Sequence, residues 1–132
     1  HQLQGRMVRD EYINLNIGTA KDVEMGIGAL LGLADPPTAI VAFNDIVGLG
    51  CVTSILHHGR RVPDDIAVIG FDDIDISTHI GIPLTTVRQP QKEIARATAD
   101  QMVNLIELHR GKEEFPINDV VITPELVIRD TA

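Results

Sequence analysis

A single cysteine, Cys51, is all the thiol chemistry in this 132-residue sequence, so no intrachain disulfide is possible and folding does not depend on an oxidising compartment. No uninterrupted apolar run approaches the roughly 20 residues that span a bilayer. Runs of Lys or Arg with interleaved aromatics are missing too, and the formal net charge is −8. That balance repels a phosphate backbone, so these residues are not expected to bind nucleic acid by themselves. The cytoplasm is the expected location. The chain opens at His1 with neither an initiator methionine nor a basic-then-apolar leader, as a piece of a longer protein would.

What is present is ordinary globular composition, 44% hydrophobic and 23% charged, over one domain's length. No internal repeat or low-complexity segment interrupts it. Residues 2–11 could close a short helix. Tyr12-Ile13-Asn14-Leu15-Asn16-Ile17 alternates with period two, which predicts a half-buried strand ended by Gly18-Thr19. From 21 to 33 the apolar residues Val23, Ile27, Leu30 and Leu31 recur at helical spacing until Asp35-Pro36-Pro37 stops the helix. The continuous apolar run over 38–43 predicts a strand buried on both faces, as in a parallel sheet. Asn44 or Asp45 can cap the helix that follows to about His58, with Gly59 as its stop.

A second strand is expected over 66–71, then an extended crossing segment at 83–90 flanked by Pro83 and Pro90. Residues 91–110 form the clearest helix. Pro124 makes the last apolar stretch, 119–129, an edge or bent strand. Strands alternating with helices of this length argue for a parallel α/β sheet. Right-handed crossovers then put the strand exits on one edge, so Asn44, Asp72 and the Gly18-Thr19 turn should lie near one another.

Two strands end alike: Phe43-Asn44-Asp45 and Phe71-Asp72-Asp73 each pass from apolar residues to an amide or a carboxylate. Asn44 offers donors and an acceptor, and ionised Asp72 offers acceptors only, a pairing suited to neighbouring sugar hydroxyls or a base edge. The plainer alternative is that Asn44 and Asp45 cap a helix while Asp72 and Asp73 form a solvated turn. Capping and ligand contact are compatible at a helix N-terminus. Asp72, Asp73 and Asp75 also raise a magnesium site, and Asp73-Ile74-Asp75-Ile76-Ser77 approaches the nucleophile motif of haloacid-dehalogenase-like phosphatases. That chemistry needs a placed lysine and a further acidic pair. Lys92 and Lys112 lie on or after a helix, and no second acidic strand exit follows.

Other chemistry-bearing residues read as structural. His57 and His58 are adjacent and so point apart on a helix, favoured there by its C-terminal dipole. Cys51 reads as a small core residue. Ser54 and Ser77 lack a nucleophile-elbow spelling, and Gly48 and Gly50 fall inside a helix rather than in a dinucleotide fingerprint.

Three ordered stretches, Pro37 to Asp45, Gly59 to Asp73 and Pro83 to Pro90, together with Leu126-Val127-Ile128-Arg129-Asp130-Thr131, resemble the effector-binding domain of lac repressor family transcription regulators. The resemblance covers about residues 15–131. It implies a periplasmic-binding-protein-like α/β fold of two subdomains, of which this chain is similar to the C-terminal half. Residues 1–88 and 118–132 would form the C-terminal subdomain. Residues 89–117 would supply a crossing segment and a helix of the N-terminal one. By the same resemblance Asn44, Asp72 and Gln89 would bind a small polar effector, a sugar before a nucleobase, with no cofactor, no metal and no catalysis. A homodimer is implied, contacting DNA through a helix-turn-helix module outside these residues, and no membrane partner. The alternative within the fold is the sugar-binding protein of a transport system. Two departures bear on the effector: the family's arginine on the first helix has no match other than Arg6 or Arg9, and Thr19-Ala20 stands where an aromatic often follows the turn.

Overall fold

The computed structural model describes residues 10–13, 18–79, 81–111 and 119–132, with 108–111 as backbone alone. Its longer elements are α1 (Ala20–Leu31), β1 (Ala39–Val41), α2 (Asp45–His57), β2 (Ala67–Phe71), β3 (Thr85–Arg88), α3 (Gln91–Gly111) and β4 (Glu125–Val127). The strands form one sheet in the order β1-β2-β3-β4. The first three run parallel and β4 runs antiparallel to β3. The expected α/β fold with a mainly parallel sheet is therefore present.

Helices α1 and α2 start where side chains satisfy the first unpaired amides. Thr19 and Asp22 close a reciprocal capping box on α1, with the Asp22 carboxylate accepting the Thr19 amide at 2.7 Å. Its carboxyl is held below the usual range by the Thr19 hydroxyl and the Gly18 and Thr19 amides. At the start of α2, Asn44 Oδ1 accepts the Val47 amide at 2.9 Å. At its end the His58 ring Nδ1 lies 2.8 Å from the Ser54 carbonyl, as a helix-end residue should.

Helix α2 packs over β2 and against α1. Ile55 and Val68 are fully buried there with Leu84, each contributing about 1.5–3 kcal/mol by leaving water. Gly50 sits against Val23 and Gly28 against the His58 ring. Those two contacts make α1 and α2 parallel, so the Thr19 and Asn44 caps share one end of the molecule. Cys51 lies in this core, and burial pushes its thiol up to about 11, which leaves it without thiolate chemistry.

Three expectations change. Tyr12 does not begin a strand: Asp10–Tyr12 is a 3-10 turn closed by the Ile13 amide on the Asp10 carbonyl, with the Tyr12 hydroxyl donating to the Asp35 carbonyl at 2.7 Å. Residues 14–17, and most of the expected helix over 2–11, lie outside the described residues. β1 is not buried on both faces. Among the described residues it is an edge strand, and Val41 is 79% exposed. Finally, the 83–90 segment is more than a crossing: Thr85–Arg88 pairs with both neighbours as the third strand, reached from β2 through the short 3-10 turn Asp75–Thr78. β4 is an edge strand just after Pro124, as expected, although Val120 and Val121 lie exposed outside it.

Candidate functional site

The parallel strands leave the sheet on one edge, and this edge carries the polar residues. β1 runs out to Asn44, β2 to Asp72 and Asp73, and β3 to Gln89. Gln89 Nε2 donates to Asp72 Oδ1 at 2.6 Å. With Arg88, Asp73 and the first residues of α3, the pair lines an open hollow of about 380 Å³. Asn44 stands at the neighbouring strand exit and is not part of that lining. Its cap occupies Oδ1 and leaves the Nδ2 donors for another acceptor.

Asp72 and Asp73 both have positive φ, 107° and 54°. Few non-glycine residues hold such a backbone, and it persists where the surroundings over-determine it. Here they do. The Asp72 amide donates to the Val87 carbonyl at 2.9 Å, and the next amide but one, of Ile74, donates to Asp45 Oδ2 at 2.8 Å. Between them the Asp73 carboxylate takes Arg88 Nε at 2.6 Å and the guanidinium of Arg129. Burial pushes the Asp73 carboxyl up, but the hydrogen bonds and charges of Arg129 and Arg88 outweigh it and hold the group below the usual carboxylate range.

This anchoring answers the phosphatase reading. Asp73, which would be its nucleophile, is locked between two guanidinium groups rather than open to a metal or a phosphoryl group. Ser77 is equally committed, donating to the Ile74 carbonyl at 2.7 Å and accepting from Arg129 at 3.1 Å.

Sequence reasoning missed Asp45, Thr86 and Arg129. Asp45 is 0% exposed, and besides Ile74 it accepts the Thr86 hydroxyl. Gly70 makes room for it, since a Cβ at that position would lie 2.3 Å from Asp45 Oδ1. The available signal was a glycine inside an otherwise apolar strand, which marks close approach of another group. Arg129 reaches the turn from beyond β4, donating also to the Leu84 carbonyl at 2.8 Å, and no local pattern announces that distance.

A larger hollow, about 690 Å³, lies elsewhere, between α1 and the open edge of β1. Val23, Ile27, Ala39 and Val41 line it, without converging polar groups, so it does not suit a polar ligand.

A family model described as a periplasmic binding protein-like domain matches residues 6–132. The Escherichia coli K12 HTH-type transcriptional repressor CytR is 35% identical over 125 residues, covering 95% of this chain and 36% of the repressor. A LacI transcriptional regulator from a Rhodococcus species superposes with a TM-score of 0.71 at 34% identity, over 86% of this chain and 40% of its own. The chain belongs to the lac repressor family. A second member, from Lactobacillus casei with bound sucrose, superposes with a TM-score of 0.68 at 33% identity, over 88% of this chain and 42% of the other. This chain thus spans about a third of the length of the curated family members it matches.

Proposed function

We propose that the chain forms one wall of the effector cleft of a ligand-responsive transcription regulator, and that a sugar is the effector. The observation that carries this is the Gln89–Asp72 pair, a fixed donor and acceptor side by side at a strand-exit edge. Asp72 accepts hydrogen bonds from neighbouring hydroxyls, Gln89 and Asn44 complete them, and no bond is made or broken. Support comes from the sucrose seen in the Lactobacillus casei regulator. The names of the similar proteins, repressors and regulators, favour this over a transport protein or an enzyme. A nucleobase is the second choice for the same donors and acceptors.

In this reading residues 1–88 and 118–132 belong to the C-terminal subdomain, and 89–117 cross into the N-terminal one. The apolar residues Ile94, Met102 and Leu105 of α3 are exposed, available to pack against sequence outside this chain. Ligand binding favours one arrangement of the subdomains, and the bias passes to a DNA-reading module beyond these residues in a cytoplasmic homodimer. Helix α2 keeps Ile46 and Leu56 exposed and supplies part of the dimer contact. Among the described residues no helix is long and apolar enough to cross a membrane.

A thermal-shift screen of glucose, sucrose, cellobiose and the nucleobases against the intact protein tests the ligand. A binding sugar raises the melting temperature, because saturation at a hundredfold excess over Kd adds about 2.7 kcal/mol to native stability. Response to nucleobases alone would replace the sugar, and no response to any would remove the proposal. Sedimentation of the intact protein as a monomer at high concentration would remove the dimer.

A further inference from the structure

A carboxylate with no exposed surface is costly unless its partners are fixed, and Asp45 has an unusual set of them. It is the first residue of α2, where the helix dipole favours negative charge. Yet Asn44, not Asp45, caps that helix. The Asp45 side chain instead crosses β2 above Gly70. Oδ2 accepts the Ile74 amide at 2.8 Å and Oδ1 accepts the Thr86 hydroxyl. Thr86 is 0% exposed, and the half-buried Ile74 directly follows the positive-φ pair Asp72-Asp73.

Each of these contacts ends close to a proposed ligand-binding residue. Asn44 immediately precedes Asp45. Ile74 lies just after the Asp72 turn, and Thr86 lies in β3 shortly before Gln89. One buried carboxylate therefore joins the start of α2, directly after Asn44, to two further segments, the turn after β2 and strand β3. The Asp45 bond is one of the two backbone anchors of the strained pair Asp72-Asp73: the Asp72 amide is held by Val87 before it and the Ile74 amide by Asp45 after it.

We infer that Asp45 is a positioning residue of the effector site: without touching the ligand, it fixes the spacing of Asn44, Asp72 and Gln89. The inference rests on the ligand-binding role proposed above for those three residues, and its geometric half is measurable without any ligand. Asp45→Ala removes both acceptors. Thr86→Val removes one donor at nearly constant volume and serves where the alanine variant does not fold. Asp45→Asn is the conservative change, because its oxygen can still accept from Ile74 while its amide donates to the Thr86 hydroxyl.

Hydrogen–deuterium exchange on the intact protein, with glucose titrated by calorimetry, tests the idea. In Asp45→Ala and Thr86→Val, amides over 70–76 should exchange at least tenfold faster while α1 stays at the wild-type rate. Asp45→Asn should restore most of the protection. Glucose affinity should fall at least tenfold in the alanine variant and far less in the asparagine variant. Unchanged protection over 70–76, or equal loss across α1, overturns the positioning role. Local loosening in a protein that binds neither glucose nor any other sugar leaves the tether standing and removes the ligand reading instead.

Discussion

Gln89 reaches from the end of β3 to Asp72 at the end of β2, its Nε2 donating to Oδ1 at 2.6 Å. The bond spans two parallel strands at the edge where each leaves the sheet, and it aligns a charged acceptor with an amide whose own oxygen still accepts. In the proposed reading a ligand hydroxyl there would meet complementary partners already in place, with little ordering left to be done on binding.

Asp72 combines this contact with a backbone that favours glycine, which separates binding from stability. Asp72→Ala should weaken sugar binding by about 2 kcal/mol or more, through loss of a charge-assisted hydrogen bond. Asp72→Gly should weaken binding equally. The glycine variant, however, should be more stable than the alanine variant by about 1–2 kcal/mol, because φ of 107° strains a Cβ-bearing residue. Calorimetry and urea denaturation of the two variants in the intact protein check both statements; wild-type affinity in either variant rejects the contact.

Thr131, in the C-terminal tail, is 0% exposed and stitches the entry end of the sheet. Its Oγ1 accepts the Thr85 amide at 2.8 Å and donates to the Val68 carbonyl at 2.7 Å. The Val68 amide donates back to the Thr131 carbonyl at 2.8 Å. Thr131→Val keeps the shape but strips both side-chain bonds, with an expected cost of about 1–3 kcal/mol. Thr131→Ser, which keeps the hydroxyl, should recover most of it. A urea midpoint and slope unchanged in the valine variant would show that the tail is dispensable.

The elements of this fold were largely legible because their signals are local. Asn44 and the prolines at 36, 37 and 124 each mark a boundary through their own backbone chemistry, whereas the Thr19–Asp22 box that opens α1 went unread behind the strand expected before it. The two strand exits were legible for the same reason, as apolar runs that stop at Asn44 and Asp72. What sequence could not supply is the support beneath them. Asp45 reads as an ordinary capping acid until Gly70 and Thr86 are brought beside it, and Arg129 is 56 residues from Asp73 in the chain. The exposure of β1 escaped for a related reason: a continuous apolar run reports what a strand could bury, whereas its neighbours decide what it does bury.

Asp73 makes the support visible as a pH dependence. Its carboxyl is buried, which alone would raise its pKa, but Arg129 and Arg88 outweigh that and depress it below the unfolded value of about 3.9. A depressed folded pKa gives stability that is fully present above the unfolded pKa and is lost as pH falls through the folded one. The wild-type protein should therefore lose unfolding free energy from about pH 5 downward. Asp73→Asn should be less stable at pH 7 by about 2 kcal/mol, having exchanged charged hydrogen bonds for neutral ones beside Arg129, and should lose less on acidification. Asp65, brought down to about 2 by hydrogen bonds from the Arg61 side chain and amide, titrates nearby in both proteins and cancels in the difference. Urea denaturation at intervals from pH 7 to pH 3 measures the two curves. They should converge toward low pH; curves that stay parallel throughout would mean that Asp73 is not the anchored carboxylate of the turn.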